Sequence, residues 1–259
     1  MNTSTSRLQV PTLALSILFA AATLIGSNAQ AQAPMRAPDG GTGYHVDGVD
    51  LLPLPGMPLT GKSSIQWTRS LEDGSTVTVH LEANLARDSA GRMYRERRTF
   101  VPLNSDQEPR LEDIMLFDPS ARTKTTCTLA TKKCLVTDYH PRREFALQPP
   151  GPFANGTRSL AREDLGQGQI DGMSVIGSRE TTVINPGVIG NDKALVSTRE
   201  FWYSAAIRTN LAVTRVDPRE GKQVIQLIDL SLAEPDSRVF EVPKGFTVVD
   251  VRTQAHLER

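Results

Sequence analysis

Between Thr76 and Leu85 the chain alternates without a break: Val77, Val79, Leu81, Ala83 and Leu85 are apolar, and Thr76, Thr78, His80, Glu82 and Asn84 are polar. A period of two sends successive side chains to opposite faces, so this run predicts a strand with one dry and one wet side. Ahead of it, Ile65, Trp67 and Leu71 share a face across Lys62 to Leu71, and Glu72-Asp73-Gly74-Ser75 predicts the hairpin turn joining the two runs. Arg87-Asp88-Ser89-Ala90-Gly91 predicts the next reversal, into Arg92 to Val101. Short runs at Leu111 to Phe117, Arg122 to Thr128 and Cys134 to His140 follow, and these six together predict an antiparallel meander.

Pro141 to Gly156, with Pro149-Pro150-Gly151-Pro152 inside it, is the strongest internal break. Strand patterns then resume at Leu160 to Gly166, Met173 to Ile184, Leu195 to Ser204, Leu211 to Asp217, Lys222 to Leu232 and Phe246 to Val251. Asp171-Gly172 and Asp217-Pro218-Arg219-Glu220-Gly221 supply the positive-φ and fixed-φ residues that reversals need. No segment holds apolar residues at helical spacing beyond about two turns, so helix is limited to short pieces such as Glu234 to Phe240. The pattern predicts an all-β chain with little helix, folded as an antiparallel, strongly curved sheet or open barrel.

The ends of the chain change this picture. Arg7, the apolar run Val10 to Ile25 and the small-residue junction Ala29-x-Ala31 predict a secretory signal peptide over residues 1–31. No cysteine adjoins that junction, so a lipoprotein-type lipid anchor is not expected, and the mature chain has no second apolar run long enough to span a bilayer. Residues 32–60 are dense in proline and glycine, which predicts a flexible or extended arm. That leaves 61–259 as a single antiparallel β domain containing the proline-rich connection at 141–156. Lys plus Arg balances Asp plus Glu at 29 each, so no global field draws in nucleic acid.

Cys127 and Cys134 flank Thr128-Leu-Ala-Thr-Lys-Lys133, and a hairpin turning at Ala130-Thr131 sets them opposite each other, within disulfide range. An exported chain meets an oxidising compartment, and closing so short a loop contributes roughly 2 to 3 kcal/mol. The spacing is not Cys-x-x-Cys and no histidine lies near, so a staple is expected rather than a redox couple or metal site. His45, His80, His140 and His256 are scattered and match no metal-binding pattern. Arg92, Arg95, Arg97 and Arg98 form the densest basic cluster, a candidate anion patch with Arg142-Arg143 as an extension, but strand alternation splits it between two faces.

Glu163-Asp164, Glu180 and Glu200 are the carboxylates a glycosidase would use, though sequence shows no separation between them. Gly172-Met-Ser174 lacks the closing glycine of a nucleophile elbow. Gly166-x-Gly168 and Gly187-x-x-Gly190 lack the strand-to-helix setting of a phosphate loop and read as turn glycines. In a chain only 5% aromatic, Phe201-Trp202-Tyr203 stands out: alternation sends Trp202 away from its neighbours, toward a second layer, a lipid-like ligand or a partner.

Arg92-Met-Tyr-Arg-Glu, Phe117-Asp-Pro, Thr126-Cys-Thr with Lys133-Cys, Asp164-Leu-Gly, Ile170-Asp-Gly, Arg199-Glu-Phe-Trp-Tyr-Ser, Val216-Asp-Pro-Arg, and Glu234-Pro-Asp with Phe240-Glu-Val-Pro resemble a family of exported bacterial proteins without an assigned activity, of the kind abundant in acidobacteria. The similarity covers Gly91 to Val251. Its strand layout in turn looks like the open β-barrel of bacterial lipoprotein carriers and envelope-stress sensor domains. That resemblance implies helices plugging the half-barrel, which the periodicity does not supply.

The resulting expectation is a periplasmic or secreted, non-catalytic binding or envelope-maintenance protein with no cofactor, whose partner is a lipid-like molecule. The alternatives are a structural protein that pairs with another envelope protein, and a hydrolase. Amino-terminal sequencing of exported protein should read from Gln32; a retained Met1 would refute the cleavage site.

Overall fold

The alternating run forms β2 (Thr76–Arg87), paired antiparallel along its length with β1 (Leu59–Ser70), Ile65 opposite Leu81 and Trp67 opposite Val79. The computed structural model describes residues 49–140 and 147–252. After β2 the chain continues through β3 (Met93–Arg98), β4 (Val101–Pro102), β5 (Leu111–Asp118), β6 (Thr123–Thr128) and β7 (Lys133–Asp138). A second meander follows: β8 (Gly151–Pro152), β9 (Arg158–Ile170), β10 (Met173–Ile184), β11 (Leu195–Ser204), β12 (Thr209–Asp217) and β13 (Gly221–Ser231).

The two meanders fuse where β13 pairs antiparallel with β1, setting Ile225 opposite Ile65. One sheet results, in the order β14-β7-β6-β5-β3-β2-β1-β13-β12-β11-β10-β9-β8, with β4 paired to β2. The exception to antiparallel pairing is β14 (Thr247–Asp250), which lies parallel to β7 at one edge. The edges differ: β14, four residues long, caps one, whereas the Gly-Pro pair of β8 covers only Ser159 and Leu160 of β9, so that among the described residues Ala161 to Ile170 has no strand partner on its outer side. A 3-10 turn at Ser237–Phe240 realises the expected helical piece.

Curvature follows from where the core sits. Met93 of β3 and Val175 of β10 belong to one buried cluster, although six strand spacings, roughly 29 Å in a flat sheet, separate them. Among the described residues the buried members of that cluster from outside the strands are Val49, Leu51 and Ile207, with Phe100 and Tyr139 packed against it, so the strands must cover one another. Register shifts between β9 and β10, β11 and β12, and β13 and β1 bend the sheet to do so. Phe201, Ile225, Leu211 and Leu227 are almost fully buried there, each stabilising by roughly 2 kcal/mol. Burial fades along β2 from Leu85 and Leu81 to Val77, which is 39% exposed; Leu71, expected to share the face of Trp67, is exposed beyond β1.

Part of the arm expected over residues 32–60 is described. Residues 32–48 lie outside those described, but Val49 and Leu51 are 4% and 3% exposed and belong to the core. Arg87, 0% exposed, explains why this stretch is fixed despite its prolines. Its guanidinium donates to Met57 O at 2.7 Å, Leu52 O at 2.9 Å and Ile207 O at 3.0 Å. Burial, then the neighbouring charge of Arg208, pushes this guanidinium down to about 10, which leaves it charged at neutral pH. Among the described residues no carboxylate pairs with it, so the carbonyls carry its compensation. The concave face is thus filled by residues 49–58 and the β11–β12 turn, where the resemblance implied helices.

Replacing Arg87 by Ala should cost about 3 kcal/mol or more, through three stranded carbonyls. That corresponds to a melting temperature lower by roughly 6 to 12 °C. Hydrogen exchange should speed up first across residues 49–58; unchanged protection there would show that Arg87 does not hold the segment.

Candidate functional site

Odd-numbered residues of β1 and β2 face the concavity, and residues 49–58 lie against them. Val49 N donates to Ser63 Oγ at 3.2 Å, Asp50 reaches Arg95 at 3.6 Å, and Gly56 N donates to Ser89 O at 2.9 Å. Beneath the segment lie Leu81, Leu85 and Met93, and beyond them Phe201, Val213 and Ile225. A continuous apolar surface is therefore covered by a short strap held mainly through its own backbone. Phe117 and Tyr139 stack edge to face, centroids 5.2 Å apart, where this core meets the other half of the concavity.

The outer face of β1 to β3 is crossed by the chain between β13 and β14. Glu234 accepts from Ser89 N and Oγ at 3.1 Å, and Arg92 stacks 4.9 Å from the centroid of the Phe240 ring. Under this crossing lies an open cleft of about 370 Å³, lined by Thr60, Lys62, Asn84, Ala86, Tyr94, Asp229, Pro235 and Val239 among others. Its wall contains the bulge where Lys62 pairs with Ile228 and Thr60 with Ser231. There Asp229 adopts φ 53°, and its carboxylate meets the Lys62 ammonium at 2.8 Å, which raises that ammonium above its ordinary pKa.

Beside the cleft, Glu96 is nearly buried and fully used. It accepts from Arg98 Nε at 2.7 Å, Tyr94 OH at 2.8 Å, and Asn84 N and Nδ2 at 3.0 Å each. Burial pushes its carboxyl up, but the hydrogen bonds from Arg98, Asn84 and Tyr94 outweigh it and hold it below the usual range. Burial and that same Glu96 contact push the Tyr94 phenol up.

The arginine cluster is not assembled into an anion patch. Arg92 pairs with Asp88 at 2.6 Å, Arg95 with Asp50, Arg97 with the buried Asp113, and Arg98 with Glu96 at 2.7 Å. Asp113 takes Arg97 on one oxygen and the Thr128 hydroxyl, at 2.6 Å, on the other. Arg142-Arg143, His45 and His256 lie outside the described residues. His80 is half-buried on the outer face of β2, and His140 is exposed.

The carboxylates of Glu163, Glu180 and Glu200 are engaged by arginines, two of them by the same one. Arg179 binds Glu200 at 2.6 Å and Glu163 at 2.8 Å, whereas Glu180, one residue along β10 and so on the opposite face, binds Arg162 at 2.8 Å. Asp164 accepts from Gly166 N at 2.8 Å. Among the described residues no group of three or more His, Cys, Asp or Glu is gathered to hold a metal ion.

Cys127 and Cys134 sit opposite each other in β6 and β7, Cα atoms 3.9 Å apart, with the sulfurs at bonding distance and both residues 0% exposed. Ser174 is exposed on β10. Gly166 and Gly168 are strand residues of β9 rather than turn glycines. Gly168 and Gly177 form a floor for Trp202, whose ring lies 2.7 Å from where a Cβ on Gly177 would stand. The side chain that points away from Phe201 and Tyr203 is thereby packed within its own sheet.

Arg87, Val49, Leu51 and Asp229 had no signal in strand periodicity. Only the apolar residues Val49, Leu51 and Leu52 could have pointed to the strap.

No family model matches the chain, and no curated protein matches it. Among solved structures it is similar to MucB, with 13% identity, a TM-score of 0.37, and coverage of 75% of this chain and 60% of that one. The complex of MucA and MucB from Pseudomonas aeruginosa gives 12%, 0.37, 75% and 58%. Lipoprotein LppX from Mycobacterium tuberculosis gives 11%, 0.26, 73% and 91%. The chain thus spans about three fifths of the MucB chains, and the likeness is a weak one of fold. No helix among the described residues is long and apolar enough to cross a membrane.

Glu96 has its folded pKa depressed, so its stabilisation is full above the unfolded value near 4.5 and is lost as pH falls through the folded value below it. Glu96→Gln should cost about 1 to 2 kcal/mol at neutral pH. The gap to the parent should close as denaturation is repeated at decreasing pH below that point, and a gap independent of pH would remove the carboxylate from the account.

Proposed function

We propose that the protein is an exported, non-catalytic binding protein of the cell envelope that takes a lipid-like molecule on its concave face, with residues 49–58 as a removable cover. The observation that carries this reading is the burial of Val49 and Leu51 within the main apolar cluster, on a segment tied down through backbone carbonyls. Such a strap occupies an apolar surface without being part of the sheet, and an acyl chain could replace its two side chains at little net cost in buried area. Its withdrawal leaves Arg87 with one of three acceptors, so a ligand bearing a carboxylate or phosphate head suits the site. The engagement of Glu163, Glu180 and Glu200 by arginines supports a binding role over hydrolysis. Burial of both cysteines supports a structural staple over thiol exchange.

Mature protein titrated with cis-parinaric acid should bind it saturably, and hydrogen exchange across residues 49–58 should accelerate at least tenfold in the complex. Native mass spectrometry of protein purified from its own host should show a co-purified acyl compound. Binding that leaves residues 49–58 protected, or no binding at all, would sink the reading.

A further inference from the structure

Six exposed apolar side chains gather at one end of the sheet: Leu71 in the β1–β2 turn, Leu103 after β4, Val188 and Ile189 between β10 and β11, and Val196 and Val216. The register fixes this, because β1 and β12 end where β2, β11 and β13 begin. The core has thinned out here, so these residues contribute little to it.

The β10–β11 loop is built to leave water. Gly187 N donates to Asn191 O at 2.6 Å, Val188 N to Asn185 O at 3.4 Å and Gly190 N to Gly187 O at 3.4 Å, while Ile189 N finds Asn191 Oδ1 at 3.1 Å. Asn191 Nδ2 returns two bonds, to Asn185 O at 2.9 Å and Lys193 O at 2.7 Å. Gly187 and Gly190, at φ 82° and 84°, permit the reversals. Every backbone donor from Gly187 to Gly190 is therefore satisfied inside the loop, so moving the tip to the headgroup boundary strands no N–H, and its carbonyls there still meet water. Ile189 is nonetheless 50% exposed to solvent.

Charge around the tip fits a phospholipid surface. Residues 185–191 contain no ionisable group, and Arg158, stacked on Phe153, and Lys193 stand just behind them with one acid, Asp192, in the same loop, whereas the β1–β2 and β12–β13 turns at this end carry Glu72, Asp73, Asp217 and Glu220. Two cations at that depth meet the phosphate layer when the tip reaches the acyl boundary.

We propose that the β10–β11 loop at this end docks on a phospholipid bilayer, with Val188 and Ile189 entering the boundary between headgroups and acyl chains. The docking is driven by apolar burial, with Arg158 and Lys193 contributing to the phosphate contact. It does not depend on the concave face binding a ligand.

The test is flotation of the mature chain with phosphatidylcholine vesicles, with and without phosphatidylglycerol. The parent should float with both, more with the anionic lipid, and salt should weaken only that increment. Val188→Asn with Ile189→Asn should weaken partition about tenfold or more. Leu232→Asn is the matched control, since Leu232 is 52% exposed at the other end of β13 and its replacement should change nothing. Unchanged melting temperatures would show that both variants fold. A parent that never floats, equal losses in the two variants, or binding abolished by salt on every vesicle would overturn the proposal. So would a vesicle-independent dimer broken by the Val188 and Ile189 changes, which would assign this end to a second copy.

Discussion

The Arg87 guanidinium sits where β2, the β11–β12 turn and the segment ahead of β1 converge, fully withdrawn from water. A charge in that position must be compensated on the spot, and the compensation is three backbone carbonyls. Two of the carbonyls, Leu52 O and Met57 O, fix the strap at two points, and the third, Ile207 O, fixes the β11–β12 turn, against the strand that carries the arginine. The strap over the concave core, the turn that adds Ile207, and the direction in which β1 enters the sheet all follow from that one requirement. Because the acceptors are main-chain atoms, the contact fixes position while leaving side-chain identity free along most of the strap.

The two faces of the sheet are closed by different means. Inside, strands from both meanders curl over one another and the strap completes the cover. Outside, the chain leaving β13 crosses β1 to β3 and then adds β14 to β7, so the last strand lies parallel at the far edge. The crossing is held by polar and cation-π contacts around a saturated Glu96 network rather than by a second apolar core. The disulfide-linked β6–β7 hairpin is the platform to which β14 attaches, since Val248 pairs with Cys134. Stapling that hairpin limits the entropy available to a short parallel strand with little else to hold it.

Much of the architecture was legible because it is local. Alternation in Thr76 to Leu85, the turns at Glu72 to Ser75 and Asp217 to Gly221, and the spacing of Cys127 and Cys134 are settled by neighbours a few residues away, through the two-residue period of a strand and the dihedral demands of a turn. The curved antiparallel sheet followed from those runs. Charge balance was legible too, but the pairing of the Arg92 to Arg98 cluster was only partly so: Arg92 and Arg98 find Asp88 and Glu96 within four residues, whereas Arg95 and Arg97 find Asp50 and Asp113 on other segments.

The sequence alone determined which segments are strands, where most of them reverse, and which cysteines face each other, since each is decided by short-range sterics and side-chain period. Tertiary structure alone decided that Val49 and Leu51 join the core and that the segment carrying them is tied down, since Arg87 reaches Met57, Leu52 and Ile207 across separations of 30, 35 and 120 residues. It likewise decided that Gly168 and Gly177 floor Trp202, and that exposed apolar residues from separate turns share one end. Such relations are set by how the sheet curls, and curling is a property of all the strands together that no single window of sequence contains.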